Sequence, residues 1–499
     1  MQYNSNFQIK KILFVITLVS FLLISNGRFT LFFAPWISTA MLLYAVRRSS
    51  TLRGFLFAWL LLSIAYLFQF YEIVPLPLPY FILMSVGSGF ITALPYLIDL
   101  LFSQKKTVFL HTLIFPISWV LIEYIFCRFN PYGTWGHTAY TQQKQLMLLQ
   151  SISVFGLGYI TFIISWFASV CNWVYQEKFN WQKTKKGVLA YSIVFGITMG
   201  YGGYRLLLQK PNSETIRIAS ISTIEGLGIY DNDVFGLKEN GAEIENTARF
   251  RKRASKLNQN LFARTIKEAK AGAKIVFWAE GNSFILKEEE KKLYEFASSI
   301  AKENEIYLGL GLAVIDATNG RPYENKFVLF DPNGKQCIEY WKAIPVPGAE
   351  ADMSNGKGTG IQKTKTPYGT IAAAICFDLD FPQYLKQAKG ADILLAPSND
   401  WKAIDPIHTD MARYRAIEQG FNLIRQTSNG LSVGADYTGR VISEMDHFTD
   451  NGKVLITLLP TKGVTTIYSI IGDIFIVFCL LLFITVKIIL KKQTVEKMK

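Results

Sequence analysis

The sequence predicts a membrane α-helical bundle of about eight spans joined to a soluble α/β domain. Of its 499 residues, 50% are hydrophobic and only 18% are charged, below the roughly 25% charged residues of a typical soluble domain. Residues 1–210 are mainly apolar runs long enough to cross about 30 Å of hydrocarbon as helices. Residues 211–465 instead alternate short apolar strands with helical patterns, which is typical of an α/β domain.

Eight apolar runs are the predicted crossings, seven before the soluble domain and one after it. They cover about residues 10–26, 29–46, 54–71, 79–103, 107–127, 146–172, 187–208 and 467–490. The first run lacks a small-residue cleavage site and leads directly into the next, so we expect a membrane anchor rather than a removable signal peptide. The predicted parts are a seven-span region over 1–210, the α/β domain over 211–465, and a last helix with a basic tail over 466–499.

Lysine and arginine alternate with these crossings. With the N-terminus inside, the inner segments carry 16 lysines and arginines, whereas the short outer loops carry three. This positive-inside asymmetry predicts that both termini are cytoplasmic and that residues 211–465 lie outside the cytoplasmic membrane. The net charge of +14 is therefore mainly a topology signal, and it does not indicate nucleic-acid binding.

Ten strands and three helices are predicted in the α/β domain. The strands are Ile216–Ser222, Lys274–Ala279, Ile306–Ile315, Lys326–Phe330, Cys337–Trp341, Ile371–Cys376, Ile393–Ala396, Asn422–Thr427, Ser432–Tyr437 and Val454–Leu458. The helices are about 245–271, 286–303 and 406–419.

The five cysteines form no CxxC pair and the four histidines form no HExxH pair, so we expect no metal site and no cofactor.

Three side chains that could carry chemistry follow predicted strands. Cys376 ends an apolar strand, and a thiolate is a strong nucleophile when a base or a cation activates the thiol. Glu280 follows another strand, where a desolvated carboxylate could take that proton. Lys342 follows a third, and a fixed ammonium would stabilise an oxyanion. Taken singly, each also has an ordinary interpretation: a buried apolar thiol, a solvated carboxylate and a strand-end lysine.

The order Glu, Lys, Cys, each at a strand end, resembles the nitrilase superfamily of carbon–nitrogen hydrolases. Seven preceding spans and one following narrow the resemblance to its membrane branch, the bacterial apolipoprotein N-acyltransferases, over essentially the whole chain. The motifs that carry it are Phe277-Trp278-Ala279-Glu280, Lys342 with Pro347, Gly348 and Glu350, Ile375-Cys376, Ser398-Asn399-Asp400-Trp401 and Thr427-Ser428-Asn429-Gly430.

The resemblance implies a nitrilase-like α-β-β-α sandwich, with Glu280 as the base, Lys342 at the oxyanion and Cys376 as the nucleophile. It implies transfer of a fatty acyl chain from a phospholipid, phosphatidylethanolamine, through a thioester to the N-terminal amine of an S-diacylglyceryl cysteine of apolipoproteins. It also implies a monomer in the bacterial inner membrane, in contact with membrane lipid. The supporting or substrate-binding residues it implies are Glu350, Phe377, Asp378, Asn399 and Trp401.

One departure from the family pattern lies beside the nucleophile. Phe377-Asp378 stands where the family usually has Tyr-Glu, so a hydroxyl is lost and the carboxylate is one methylene shorter. We expect Asp378 to affect mainly the second transfer, which must position a bulky amine. The alternative is that Asp378 only caps the neighbouring backbone or faces solvent.

Two other functions stay open at this point. A membrane-tethered hydrolase of a small amide or nitrile would use the same three residues with water as the final acceptor, but a single anchor would suffice for it. A non-catalytic membrane binding protein would have no need for the intact set of Glu280, Lys342 and Cys376.

Overall fold

The computed structural model describes residues 2–103, 108–209, 211, 213–224, 227, 248–316, 323–350 and 360–496. Its packing divides the chain into a helical unit, residues 1–209 with 470–499, and an α/β unit, residues 210–469. Four lysines that entered the charge count lie outside the described residues: Lys105, Lys106, Lys497 and Lys499. The first three residues of the predicted helix 245–271 also lie outside them.

Among its described residues, the helical unit begins with nine α-helices and ends with a last one, Ile474–Glu496. The nine are α1 (Gln2–Leu23), α2 (Ala34–Arg47), α3 (Thr51–Gln69), α4 (Leu78–Ser103), α5 (Ile114–Phe129), α6 (Leu146–Leu149), α7 (Ile152–Phe155), α8 (Gly158–Gln176) and α9 (Trp181–Leu208). Within the described residues, three helical segments are long and apolar enough to cross a membrane: Thr51–Gln69, Leu78–Phe102 and Phe109–Phe129. These helices are those of a membrane protein, but the predicted count of eight crossings is not confirmed.

The apolar run 146–172, which was predicted to cross the membrane as one helix, is two helices with a sharp bend between them. Leu146–Phe155 and Gly158–Gln176 together are long and apolar enough for one span, but they meet at an angle of 119°. Gly156 lies between them with a φ of 72°, a conformation that glycine adopts without the steric penalty other residues pay. Hydropathy could not reveal this bend because both arms are apolar.

Two sheets form the α/β unit. The first has the order β13-β1-β2-β4-β5-β6 with β3 also beside β4, and the second has the order β12-β11-β10-β9-β8-β7. The strands are β1 (Thr215–Ile221), β2 (Ile275–Trp278), β3 (Ser283–Leu286), β4 (Tyr307–Ile315), β5 (Tyr323–Phe330), β6 (Gln336–Trp341), β7 (Lys363–Thr366), β8 (Gly369–Ala373), β9 (Ile393–Asn399), β10 (Asn422–Ser428), β11 (Leu431–Ala435), β12 (Val441–Asp446) and β13 (Val454–Pro460). Its helices are α10 (Ala248–Lys270), α11 (Glu290–Glu303), α12 (Pro382–Leu385), α13 (Ile407–Gln419) and α14 (Ile467–Ile471).

The sheets pack face to face between layers of helix. Buried side chains of both sheets, such as Phe277 and Leu394, form one core between them. The other face of the first sheet packs Trp278 against Leu257 and Leu261 of α10, and α13 contacts the second sheet through β10 and β11. The predicted α-β-β-α sandwich is therefore confirmed.

Sequence patterning predicted the central strands and missed three others. Strands β7 and β12 form the two edges of the second sheet, and β3 has only four residues. Lys363–Thr366 carries alternating lysine and threonine with no buried position. Edge strands bury little apolar surface, so no hydrophobic pattern distinguishes them from loops.

Candidate active site

The three predicted residues all follow strands of the sandwich. Glu280 lies two residues after β2, and Lys342 directly follows β6. The prediction that Cys376 ends its strand is wrong, because β8 ends at Ala373 and Cys376 begins a 3-10 turn that runs to Asp380. Cys376 has a φ of 47°, and a side-chain-bearing residue in this left-handed region stores strain of a kind that clusters at functional sites.

Lys342 joins two carboxylates. Its Nζ donates to Glu280 Oε1 at 2.8 Å and to Glu350 Oε1 at 2.6 Å. Glu350 Oε2 in turn accepts the backbone N–H of Val346 at 2.7 Å, which fixes the turn after Lys342. An ammonium has three N–H groups, so these two bonds leave one for another acceptor.

Asn325 completes this arrangement and was not predicted from the sequence. Its side-chain Nδ2 donates to Glu280 Oε1 at 2.6 Å, and its backbone carbonyl accepts the backbone N–H of Lys342 at 2.9 Å. Glu280 Oε1 is thus held by two donors, whereas Oε2 is buried without a hydrogen-bond partner among the described residues. The signal that could have found Asn325 is the polar run Glu324-Asn325-Lys326 within an otherwise apolar strand.

The charges at the site determine the protonation states. Burial alone would lower the pKa of Lys342, but the Glu280 and Glu350 carboxylates outweigh it and hold that pKa well above its ordinary value. Burial, together with the Glu280 charge, raises the pKa of the Cys376 thiol well above its ordinary value, against the lowering effect of Lys342. The resting site therefore holds a neutral Cys376 thiol and a Lys342 ammonium.

The other predicted residues lie near Cys376 with different surroundings. Phe377 is buried, and its ring meets that of Phe381 edge to face, with the centroids 5.2 Å apart. The carbonyl of Asn399 accepts the Cys376 thiol at 3.7 Å. Asn399 itself is exposed and Trp401 is half-buried, so both side chains reach solvent beside the 3-10 turn that carries Cys376.

Asp378 contacts backbone amides and Tyr340, as the capping alternative describes. It is fully buried. Its Oδ2 accepts the Tyr340 hydroxyl at 2.7 Å, and its Oδ1 accepts the backbone N–H of Ile344 at 2.8 Å. Asp378 therefore clamps the Cys376 turn to the chain that follows Lys342, the capping role considered as the alternative.

This clamp gives a prediction for Asp378→Glu. The longer side chain has to fit a fully packed position, so it displaces the Cys376 turn and the Lys342 loop together. We expect the two transfers that the resemblance implies to slow by similar factors, with a loss of stability of about 1–3 kcal/mol. Single-turnover timing of thioester formation and of its decay checks this. Slowing of the decay alone would restore the acceptor-side role.

A second group of charges lies behind Cys376. His408 Nδ1 lies 2.7 Å from Asp400 Oδ1, and its Nε2 lies 3.2 Å from Asp380 Oδ2. Arg425 also donates to both oxygens of Asp400, at 2.7 and 2.9 Å. Burial alone would lower the pKa of His408, but the two aspartates outweigh it and raise it to about 9. His408 is therefore an imidazolium at neutral pH. His408 lies 32 residues after Cys376 in the sequence, so the sequence left a Cys376–His408 pair possible without supporting it.

Cys376, Asp400 and His408 each offer a donor atom, all within 4.8 Å of one another. A metal ion would need the imidazole nitrogen to be deprotonated and Asp400 to turn away from Arg425. Both conditions oppose the ion pairs just described. The donor set therefore fits an ion-pair network better than a metal centre.

The raised pKa of His408 predicts a pH-dependent stability. Its contribution is fully present below the unfolded pKa near 6.5 and is lost as the pH rises through about 9. We expect His408→Gln to destabilise the protein by about 3 kcal/mol at pH 7, since it leaves buried carboxylates underpaired. The difference in melting temperature between wild type and variant should shrink from pH 7 to pH 10. A difference that does not change with pH would mean that His408 is neutral.

Two regions of the chain match known sequence families. Residues 248–467 match the carbon–nitrogen hydrolase family, and residues 18–170 match the apolipoprotein N-acyltransferase N-terminal domain. Among solved structures, an amidase from Nesterenkonia sp. is 17% identical over 50% of this chain and 92% of its own, with a TM-score of 0.39.

Similar proteins span most of the chain. An apolipoprotein N-acyltransferase of Rickettsia prowazekii (strain Madrid E) is 23% identical over 89% of this chain and 91% of its own. Apolipoprotein N-acyltransferase 1 of Treponema denticola is 26% identical over 84% of each chain. With the two family matches in their respective regions, this chain belongs to the apolipoprotein N-acyltransferases, the membrane branch of the carbon–nitrogen hydrolase superfamily.

Proposed function

We propose that this protein transfers a fatty acyl chain from a phospholipid, through a thioester on Cys376, to the N-terminal amine of an S-diacylglyceryl cysteine of apolipoproteins. The observation that carries the proposal is the buried set of Glu280, Lys342 and Cys376, in which one oxygen of Glu280 has no hydrogen-bond partner among the residues that the structure describes. The family to which the chain belongs supports the identity of the donor and the acceptor.

In the first transfer Glu280 Oε2 takes the thiol proton, and the sulfur of Cys376 attacks the ester carbonyl of the phospholipid. The remaining N–H of Lys342 stabilises the oxyanion that forms. The carbon–oxygen bond then breaks, and Glu280 returns the proton to the leaving hydroxyl of the lysophospholipid. We propose phosphatidylethanolamine as the donor.

In the second transfer the free amine of the apolipoprotein attacks the thioester carbonyl. Glu280 removes a proton from the amine, the carbon–sulfur bond breaks, and the proton passes to the sulfur of Cys376. Lys342 again faces the oxyanion. Because Glu350 and Asn325 hold Lys342 and Glu280 in place, neither has to reorganise between the two transfers.

Acylation of a peptide tests the proposal. Purified protein would be given phosphatidylethanolamine and a synthetic peptide whose N-terminal cysteine carries S-diacylglyceryl. We expect the peptide to gain the mass of one acyl chain, while the same peptide with an acetylated amine stays unchanged. Release of free fatty acid with no change in the peptide would favour a hydrolase instead.

The proposed topology follows the charge pattern. Seven crossings over 1–210 and one over 466–499, in a bacterial inner membrane, would place residues 211–465 on the extracytoplasmic face. Both lipid substrates could then reach the thiol from the bilayer. We further propose that the enzyme acts as a monomer.

Protease treatment of intact spheroplasts checks this topology. We expect loss of epitopes within 211–465, because that domain faces the medium, and protection of a tag placed after Lys499. Cleavage of the tag with protection of the domain would invert the topology.

A further inference from the structure

A polar pocket lies between the ends of two helices in the helical unit, away from the residues assigned so far. It has a volume of about 680 Å³ and is lined by the end of α2, with Tyr44, Arg47 and Arg48, and by the end of α8. Tyr175 and the exposed Lys178 contribute from α8 and the turn after it. Three cationic side chains thus surround one cavity.

The charges around this pocket are unequally compensated. Arg47 donates to both oxygens of Asp99, each at 2.8 Å, and so forms a neutral pair inside the bundle. Within the part of the chain that the structure describes, neither Arg48 nor Lys178 forms an ion pair with a carboxylate. The nearby Glu177 instead pairs with Lys183 at 3.4 Å. The pocket therefore carries two positive charges in need of an anion.

The guanidinium of Arg48 is held in place before any ligand arrives. It lies over two aromatic rings, 4.3 Å from the centroid of Tyr44 and 5.2 Å from that of Tyr175. It also donates to the Tyr175 hydroxyl at 3.1 Å. A guanidinium carries five N–H donors, so this single bond leaves others for the charge-assisted hydrogen bonds that suit a phosphate.

The backbone after α8 is strained where it positions Lys178. Lys178 and Phe179 have φ values of 55° and 58°, a conformation that side-chain-bearing residues rarely adopt twice in succession. Such strain persists where the surrounding structure enforces it, and it is common at ligand clamps. Lys178 lines the same pocket as Arg48.

The surroundings of the pocket point to a lipid as the source of the anion. Phe179 and Trp181 are 69% and 61% exposed, and aromatic side chains beside lysines and arginines are typical of the membrane–water interface. Basic pockets between helices at that depth bind lipid headgroups. We propose that the pocket formed by Arg48, Tyr175 and Lys178 binds the phosphate of an anionic phospholipid and so ties α2 to α8. This proposal does not depend on the acyl-transfer chemistry.

Native mass spectrometry of the full-length protein tests the proposal. Delipidated protein in detergent would be titrated with phosphatidylglycerol, with diacylglycerol of the same acyl chains, and with inorganic phosphate. We expect one phosphatidylglycerol to be retained and diacylglycerol not. Arg48→Ala and Lys178→Ala should each weaken retention by about tenfold or more, since each removes a charge-assisted contact. Tyr175→Phe should weaken it less.

The matched control is Arg53→Ala, which removes an exposed arginine that does not line the pocket. We expect Arg53→Ala to retain the lipid as wild type does. Equal loss in Arg53→Ala and Arg48→Ala would mean a diffuse basic surface and overturn the site. Displacement of the lipid by millimolar inorganic phosphate would mean that the pocket binds free phosphate, and it would overturn the proposal of a lipid ligand. If Arg48→Ala fails to fold, Arg48→Lys takes its place, because lysine keeps the positive charge and lacks the planar guanidinium. We expect Arg48→Lys to retain the lipid more weakly than wild type. Unchanged retention would contradict a site built on the guanidinium of Arg48.

Discussion

Cys376→Ser should abolish formation of the acyl-enzyme and reduce acyl transfer below detection. The serine hydroxyl is far less acidic than a thiol, and Glu280, with only one oxygen free to act as base, is too weak to activate it. The substituted oxygen would keep the position at the start of the turn, so we expect the protein to fold normally. Transfer measured with the diacylglyceryl peptide checks the loss.

Cys337→Ser is the matched control for this variant. Cys337 is half-buried, and its thiol donates to the backbone carbonyl of Leu329 at 3.3 Å. Burial raises the pKa of Cys337 to about 11, against the lowering effect of a hydrogen bond with Thr364. We expect Cys337→Ser to transfer at nearly the wild-type rate. Full activity in Cys376→Ser, or its loss in Cys337→Ser alone, would overturn the assignment of the nucleophile.

Glu280→Gln should reduce the rate of thioester formation by about 10²–10⁴-fold. The amide oxygen of glutamine can still accept from Lys342 and Asn325, as Glu280 Oε1 does at 2.8 and 2.6 Å. The arrangement of the site should therefore survive while the proton acceptor is lost. Single-turnover kinetics at several pH values measures the effect.

Glu288→Gln provides the comparison for this change. Glu288 pairs with Arg251 at 2.7 Å, with both side chains well exposed, and such pairs contribute little. We expect wild-type kinetics from it. A Glu280→Gln enzyme that forms the thioester at the wild-type rate would remove Glu280 from the role of base.

Much of the α/β unit was predictable because its central strands are buried on both faces and are nearly continuous apolar runs. The same patterning predicted where Glu280 and Lys342 stand, since each follows such a strand. The sequence predicted that Cys376 ends a strand, because the apolar residues Ala374 and Ile375 continue the apolar pattern of β8. The strand itself ends at Ala373. Hydropathy records burial and does not record hydrogen bonding.

Two side chains at the site, Asn325 and His408, were not assigned to it from the sequence. Asn325, Asp400 and His408 reach it from β5, the end of β9 and α13, and only the fold brings these elements together. Asp378 was identified by its position next to the nucleophile, yet its contacts are backbone amides and Tyr340 on another strand. In the helical unit, the bend at Gly156 depends on backbone conformation, which an apolar pattern cannot encode.

Mass spectrometry of the Cys376 peptide tests most directly whether the chemistry passes through this thiol. Purified protein would be incubated with phosphatidylethanolamine of known acyl composition, digested, and mapped before and after a chase with the diacylglyceryl peptide. We predict one acyl chain on Cys376 as a hydroxylamine-labile thioester, which disappears in the chase as the acceptor peptide gains the same mass. Acylated acceptor with Cys376 never modified, or an adduct on Cys376 that the acceptor does not remove, would contradict the account.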